Sequence, residues 1–153
     1  MDLNEALYTT RAMRRVKPDP IPNEVVASMM DAAVRSPSGS NSQNGRWITV
    51  TDRETMAALA PLYAEAWEEL QQSFYKGKLE AARERGDEST LSVFKSARWL
   101  VENFADLPLV VFAYHRNDPS GASIYPAVWS MMLAARSHGV GTTLTTVLGF
   151  FKK

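Results

Sequence analysis

The 153-residue chain balances 17 Lys+Arg against 17 Asp+Glu, so its net charge of zero offers no bulk electrostatic case for nucleic acid or an anionic membrane as partner. At 45% hydrophobic it is long enough for one domain with a real core, and the absence of Cys excludes disulfides, thiolate metal sites and cysteine nucleophiles. No apolar run reaches membrane-spanning length and the N-terminus MDLNEALYTT lacks the apolar stretch of a signal peptide, so a cytoplasmic protein is expected.

In chain order, Asp2 to Thr10 reads as a short helix with Leu3, Leu7 and Ala6 on one face. A basic cluster, RAMRRVK, follows over Arg11 to Lys17, and Pro18, Pro20 and Pro22 then interrupt regular structure. Asn23 to Arg35 places Val26, Met29, Met30 and Ala33 at helical spacing. The polar stretch RSPSGSNSQNGRW leads into a strand over Trp47 to Thr51. Thr51-Asp52-Arg53-Glu54 fits a capping box in which Thr51 accepts from the Glu54 amide. The helix it opens carries Met56, Leu59, Ala60 and Tyr63, with a kink or break expected at Pro61. Helical patterning continues from Tyr63 to Arg85, with Trp67, Leu70 and Phe74 on one side, and Gly86-Asp87 ends it.

Thr90 to Phe104 predicts another helix, and Leu107 to Tyr114 a strand apolar enough to be buried on both faces. Ser123 to His138 is the longest clean helical pattern, with Gly139 placed to terminate it. Gly141 to Val147 is a third, short, β-prone segment. Helices dominate and separate the strands, which defines an α+β or α/β layered domain. With about three strands and a terminus of exposed-looking aromatics, Gly149-Phe150-Phe151-Lys152-Lys153, the sheet looks incomplete, as if needing a strand from further chain or from a partner.

Three features bear on chemistry. Arg11 and Arg14 lie three apart and suit a phosphate or carboxylate, although such a cluster is also an ordinary solvated surface turn. The hydroxyls, amides and glycines of residues 36–45 suit a polar ligand, or simply a long turn. Gly139-Val140-Gly141-Thr142-Thr143 follows a helix and not a strand, so it is no dinucleotide fingerprint; a helix cap explains Gly139 and leaves Gly141 unexplained. The only histidines, His115 and His138, read as structural, and no metal set, nucleophile motif or carboxylate pair stands out. If the protein is an enzyme, a cofactor carries the chemistry.

In combination these features resemble the nitroreductase family of FMN-dependent oxidoreductases, over essentially the whole chain. Thr10 to Val16 is similar to the family's Arg-Arg-Ser-x-Arg-x-Phe pattern, with Thr10 in place of the first Arg and Ala12 in place of the Ser. Pro37-Ser38-Gly39-Ser40-Asn41-Ser42-Gln43 is similar to the loop Pro-Ser-Ser-x-Asn-x-Gln-Pro-Trp, with Asn44-Gly45 where Pro-Trp is common. Gly141 to Thr145 is similar to the segment that passes the dimethylbenzene and N5 side of the flavin.

The resemblance implies a nitroreductase-like α+β fold with a mixed central sheet flanked by helices, one FMN-binding domain over residues 1–153, and a homodimer with two flavins at its interface. It implies FMN contacts at Arg11, Ala12 and Arg14, at Pro37, Ser38, Gly39, Asn41 and Gln43, and at Thr143, Leu144 and Thr145. Arg11 would face the ribityl phosphate and Arg14 the N1/O2 edge, while the loop would serve flavin held mainly by the other subunit. The implied activity is hydride transfer from NAD(P)H through flavin N5 to a nitroaromatic, quinone or similar electrophile, with no obligate catalytic side chain. A flavin dehalogenase, a cobamide-ring-forming oxidase and a non-catalytic flavin-binding or dimerisation module are alternatives. Family members usually continue into a final strand, a further basic residue and a C-terminal arm, so a C-terminally truncated domain is expected.

Overall fold

The computed structural model describes residues 1–150, and the predicted exposure of the terminal aromatics lies outside the described side chains. The fold is α+β, and the described residues group into two compact units, 1–50 with 108–144 and 51–107 with 145–150.

In the first unit, Leu3–Thr9 (α1) is opened by Asp2, whose carboxylate accepts from the Glu5 amide at 2.9 Å. Of its expected face only Ala6 is buried, while Leu3 and Leu7 are 68% and 48% exposed. Residues 11–22 are non-helical, so the three-residue spacing of Arg11 and Arg14 does not set them on one helical face. Asn23–Val34 (α2) buries Met29 and Ala33 against Val128, Met131, Met132 and Ala135 of Ile124–Ser137 (α6). Gly45–Val50 (β1) pairs antiparallel with Val110–His115 (β2), from Gly45 opposite His115 to Val50 opposite Val110. Alternation turns Trp47, Val111 and Ala113 toward the α2–α6 core, leaving Ile48 and Tyr114 more than half exposed on the other face. β2 is therefore not buried on both faces, because helices cover only one side of it within this unit.

The expected third strand does not form: residues 141–146 have no regular structure. A backbone bond from the Met13 amide to the Thr142 carbonyl, 2.8 Å, ties this stretch to an irregular segment, and a single bond is not a ladder.

In the second unit, Arg53–Leu70 (α3) is one continuous helix through Pro61. Its cap is Asp52, whose carboxylate takes the Thr55 amide at 2.7 Å, so the predicted Thr51 box is displaced by one residue: ionised Asp is the stronger acceptor. A widened five-residue turn, Gln71–Tyr75, joins α3 to Lys76–Glu84 (α4). The wider turn rotates Phe74 off the expected face, to 68% exposure. Tyr75 takes that place instead, 6.3 Å from Trp67 and 5.5 Å from Phe94 between ring centres. Glu88–Glu102 (α5) begins at an Asp87 cap, and Val147–Phe150 (α7) ends the described chain. Tyr63 stacks on Phe104 at 4.6 Å in the core of this unit.

α6 shows how distant residues fix one element. Its first amides, Ser123 and Ile124, both donate at 2.9 Å to the Asp118 carboxylate, five and six residues upstream. Desolvation opposes the charge on Asp118, but those two amides, the nearby His115 and the Ala122 amide outweigh it and hold the carboxyl below its usual range. A lowered folded value means the stabilisation is fully present above the ordinary pKa, about 3.9, and is lost as pH falls through the folded value. Asp118→Asn is expected to lower the melting temperature at pH 7, with the gap to the parent protein closing as the pH is brought below 3.9 in a thermal-melt series.

Candidate functional site

The end of α6 brings together two segments that lie far apart in sequence. His138 closes the helix and Gly139, at φ +77°, reverses the chain. The Gly139 amide returns to the Arg136 carbonyl at 2.9 Å and the Val140 amide to that of Ala135 at 3.0 Å, which forms a Schellman cap. The chain then runs through Gly141 to Thr142, whose carbonyl receives the Met13 amide. Gly141 is thereby explained: a Cβ on it would lie 2.7 Å from Met13 Sδ and 3.2 Å from Met13 Cβ. Gly141→Val is expected to push the Arg11–Arg14 segment away, seen as large amide shifts over residues 10–15 with little change in α2.

Arg136, in the last turn of α6, ties down the other side. Its guanidinium donates to the Thr10 hydroxyl at 2.5 Å, to the Thr9 hydroxyl, and to the Ala6 carbonyl at 3.4 Å. The result is an open cavity of about 210 Å³ lined by Thr10, Arg11, Met13, Arg136 and residues 139–142. Two guanidiniums line it and no carboxylate does. Among the described residues neither Arg11 nor Arg14 is in an ion pair, and the Gly141 and Thr142 amides have no acceptor. The Thr143 hydroxyl oxygen is buried without a partner. An anion with further hydrogen-bonding groups matches this donor set.

The polar loop docks nearer the other end of α6. The Gly39 amide donates to the Ser123 hydroxyl at 3.0 Å, and the Ser36 and Ser130 hydroxyls meet at 2.7 Å. Ser40, Asn41 and Gln43 all have positive φ, near +50°, which side-chain-bearing residues adopt at a cost of about 1–2 kcal/mol each. The Ser38 hydroxyl accepting from the Gln43 amide at 3.1 Å and the Gln43–Asn41 side-chain bond at 3.0 Å hold that conformation. Strain concentrated in a polar loop is a mark of a functional segment.

Of the expected contacts, Arg11 lines the cavity beside Gly141 and Thr142, Arg14 is half-buried, and Ala12 is exposed. Pro37, Ser38, Gly39, Asn41 and Gln43 form the separate loop cluster. Leu144 is 47% exposed. Thr145 belongs to the second unit, where its hydroxyl is engaged by Tyr63 at 3.1 Å and by the Val147 amide at 3.3 Å. Arg136 went unread in the sequence because a basic residue in a last helical turn is already explained by the helix dipole.

The chain as a whole is similar to known proteins. The model of the nitroreductase family matches residues 7–152, and the chain belongs to that family. Among solved structures, an iodotyrosine deiodinase bound to FMN and 3-iodo-L-tyrosine superposes with a TM-score of 0.71 at 19% identity, over 92% of this chain and 72% of that one. A nitroreductase with bound FMN from Bacteroides fragilis gives 0.69 at 20% identity, over 98% and 72%. A BluB-like flavoprotein from Clostridium difficile 630 gives 0.67 at 21%, over 97% and 76%. In sequence, 59 residues are 36% identical to an NADH dehydrogenase of Thermus thermophilus; the match spans 39% of this chain and 29% of that protein. Among the described residues no helix is long and apolar enough to cross a membrane.

Proposed function

We propose that the chain is an FMN-dependent oxidoreductase that works as a homodimer, drawing on NAD(P)H and reducing a nitroaromatic, quinone or similar electrophile. The observation that carries this is the separation of its polar features along α6. The basic segment and residues 139–143 sit at the C-terminal end, and the strained loop is held nearer the other. At 1.5 Å per residue the 14-residue helix is about 20 Å long. The 210 Å³ cavity falls below the roughly 300–1,000 Å³ of pockets that enclose a whole ligand. One chain thus offers parts of a site, and a two-fold dimer would set the loop of one copy against the basic segment of the other.

The residues present fit FMN. Arg11 and the Gly141 and Thr142 amides supply donors for a phosphate, Arg14 a cation for the ring edge, and the unpartnered Thr143 hydroxyl a further contact. When bound, FMN supplies hydride acceptance and donation at N5. The side chains bind and orient: Arg14 would stabilise negative charge on the reduced ring, and the loop would exclude water from the ring's face. Exposed Leu3, Leu7, Tyr8, Tyr125 and Trp129 provide apolar surface for the second copy to cover. Trp67 and Phe104 are buried in the second unit and contribute nothing to it.

Titration with FMN and with riboflavin tests the reading. Saturable FMN binding is expected, with riboflavin about 10–150-fold weaker for want of the charge-assisted phosphate bonds. NADH or NADPH added without oxygen should then bleach the visible absorption of the oxidised flavin. Absence of saturable binding would overturn it.

A further inference from the structure

A second polar cavity, about 350 Å³, lies at the open end of the β1–β2 ribbon and is lined by Asn44, Arg46, Tyr114, His115 and Arg116. It shares no residue with the cavity at the end of α6. The strand register explains its composition. Arg46 stands opposite Tyr114, and the Arg116 amide reaches the Asn44 carbonyl at 3.5 Å, continuing the pairing one step beyond β2. Alternation then sets all four side chains on one face, with Arg46 and Arg116 diagonal neighbours roughly 7–8 Å apart.

Like charges so placed on adjacent strands repel. Among the described residues neither guanidinium is in an ion pair. Arg46 reaches only its neighbour's backbone, the Gly45 carbonyl, at 2.8 Å. The carboxylate closest in sequence, Asp118, is committed to the Ser123 and Ile124 amides. His115, opposite Gly45, alternates to the other face with Trp47 and Ala113, so its ring is not counted among these donors. Two uncompensated guanidiniums on one face, with a tyrosine hydroxyl and a side-chain amide beside them, describe a site short of one anionic acceptor.

The geometry points to a second oxyanion site here, independent of the flavin reading, that takes a phosphate group, free or as a monoester. Two guanidinium forks, the Tyr114 hydroxyl and the Asn44 amide present more donors than a carboxylate's two oxygens use, and suit the three free oxygens of a phosphate. Tyr114 lies nearly parallel to Phe112, with ring centres 6.4 Å apart, and gives a monoester's planar group a surface beside the forks.

The test is a titration of the ¹⁵N-labelled protein with inorganic phosphate and, separately, with adenosine monophosphate, at ionic strength held constant with chloride. Saturable shifts are expected at the amides of residues 44–46 and 114–116. Arg46→Gln and Arg116→Gln should each weaken binding at least tenfold; both side chains are exposed, so the fold is retained. Arg83→Gln, on α4, should leave it unchanged. Tighter binding of the nucleotide identifies the ligand as a monoester, and tighter binding of phosphate identifies the free ion. No saturable shifts at these residues with either probe, or shifts equally strong in both arginine variants, would overturn the proposal.

Discussion

Arg11→Ala is expected to weaken FMN binding by about 1.5–3 kcal/mol, the range for hydrogen bonds to charged groups, and to erase the preference for FMN over riboflavin. The second effect is the diagnostic one, because Arg11 lines the cavity assigned to the phosphate. Arg14→Ala should cost a similar amount but weaken FMN and riboflavin equally, since Arg14 is assigned to the ring. Lys17, exposed and outside the cavity lining, should matter little when replaced. Parallel flavin titrations on the three variants separate these outcomes. Equal losses from all three would indicate a general surface-charge effect.

Met29→Ala is expected to cost about 2–5 kcal/mol of folding stability, against a total of about 5–15 kcal/mol for a domain. Met29 is 2% exposed and sits with Ala33, Val128, Met131, Met132 and Ala135 in the α2–α6 core. α6 positions both candidate clusters, so loosening this core should weaken flavin binding as well. Urea denaturation followed by far-ultraviolet circular dichroism measures the loss. A change below about 1 kcal/mol would mean that α2 can close the gap.

The sequence carried the long elements well. α2 and α6 appear within a residue or two of their predicted bounds, because Met29, Ala33, Val128, Met132 and Ala135 repeat at helical spacing and bury together. Gly139 was legible as a cap because a positive φ leaves a mark in residue type. Phe74 was misread because nothing in QQSFY announces a widened turn, and one extra residue per turn rotates everything after it. The segment 141–147 has β-branched residues at strand density, yet it pairs with no strand: the Thr145 hydroxyl is engaged by Tyr63 and that of Thr143 is buried without a partner.

For the candidate site, pattern alone gave the basic cluster, the polar loop and the glycine turn as separate features. Only tertiary contacts, Met13 with Thr142 and Arg136 with Thr10, show which of them meet. The cavity around Arg46 and Arg116 was not legible at all, since it exists only once β1 and β2 are in register.

The central claim is that the basic segment and the loop complete a flavin site in pairs, from two copies. Mixing two defective variants tests it most directly. One carries Arg11→Ala and Arg14→Ala; the other carries Ser38→Ala and Gln43→Ala. In a two-fold dimer with a shared site, each mixed dimer holds one intact site and one doubly damaged site. The account predicts that unfolding and refolding the two variants together restores tight FMN binding that neither variant shows alone. No recovery, with mixed dimers shown to be present by native mass spectrometry, would contradict it.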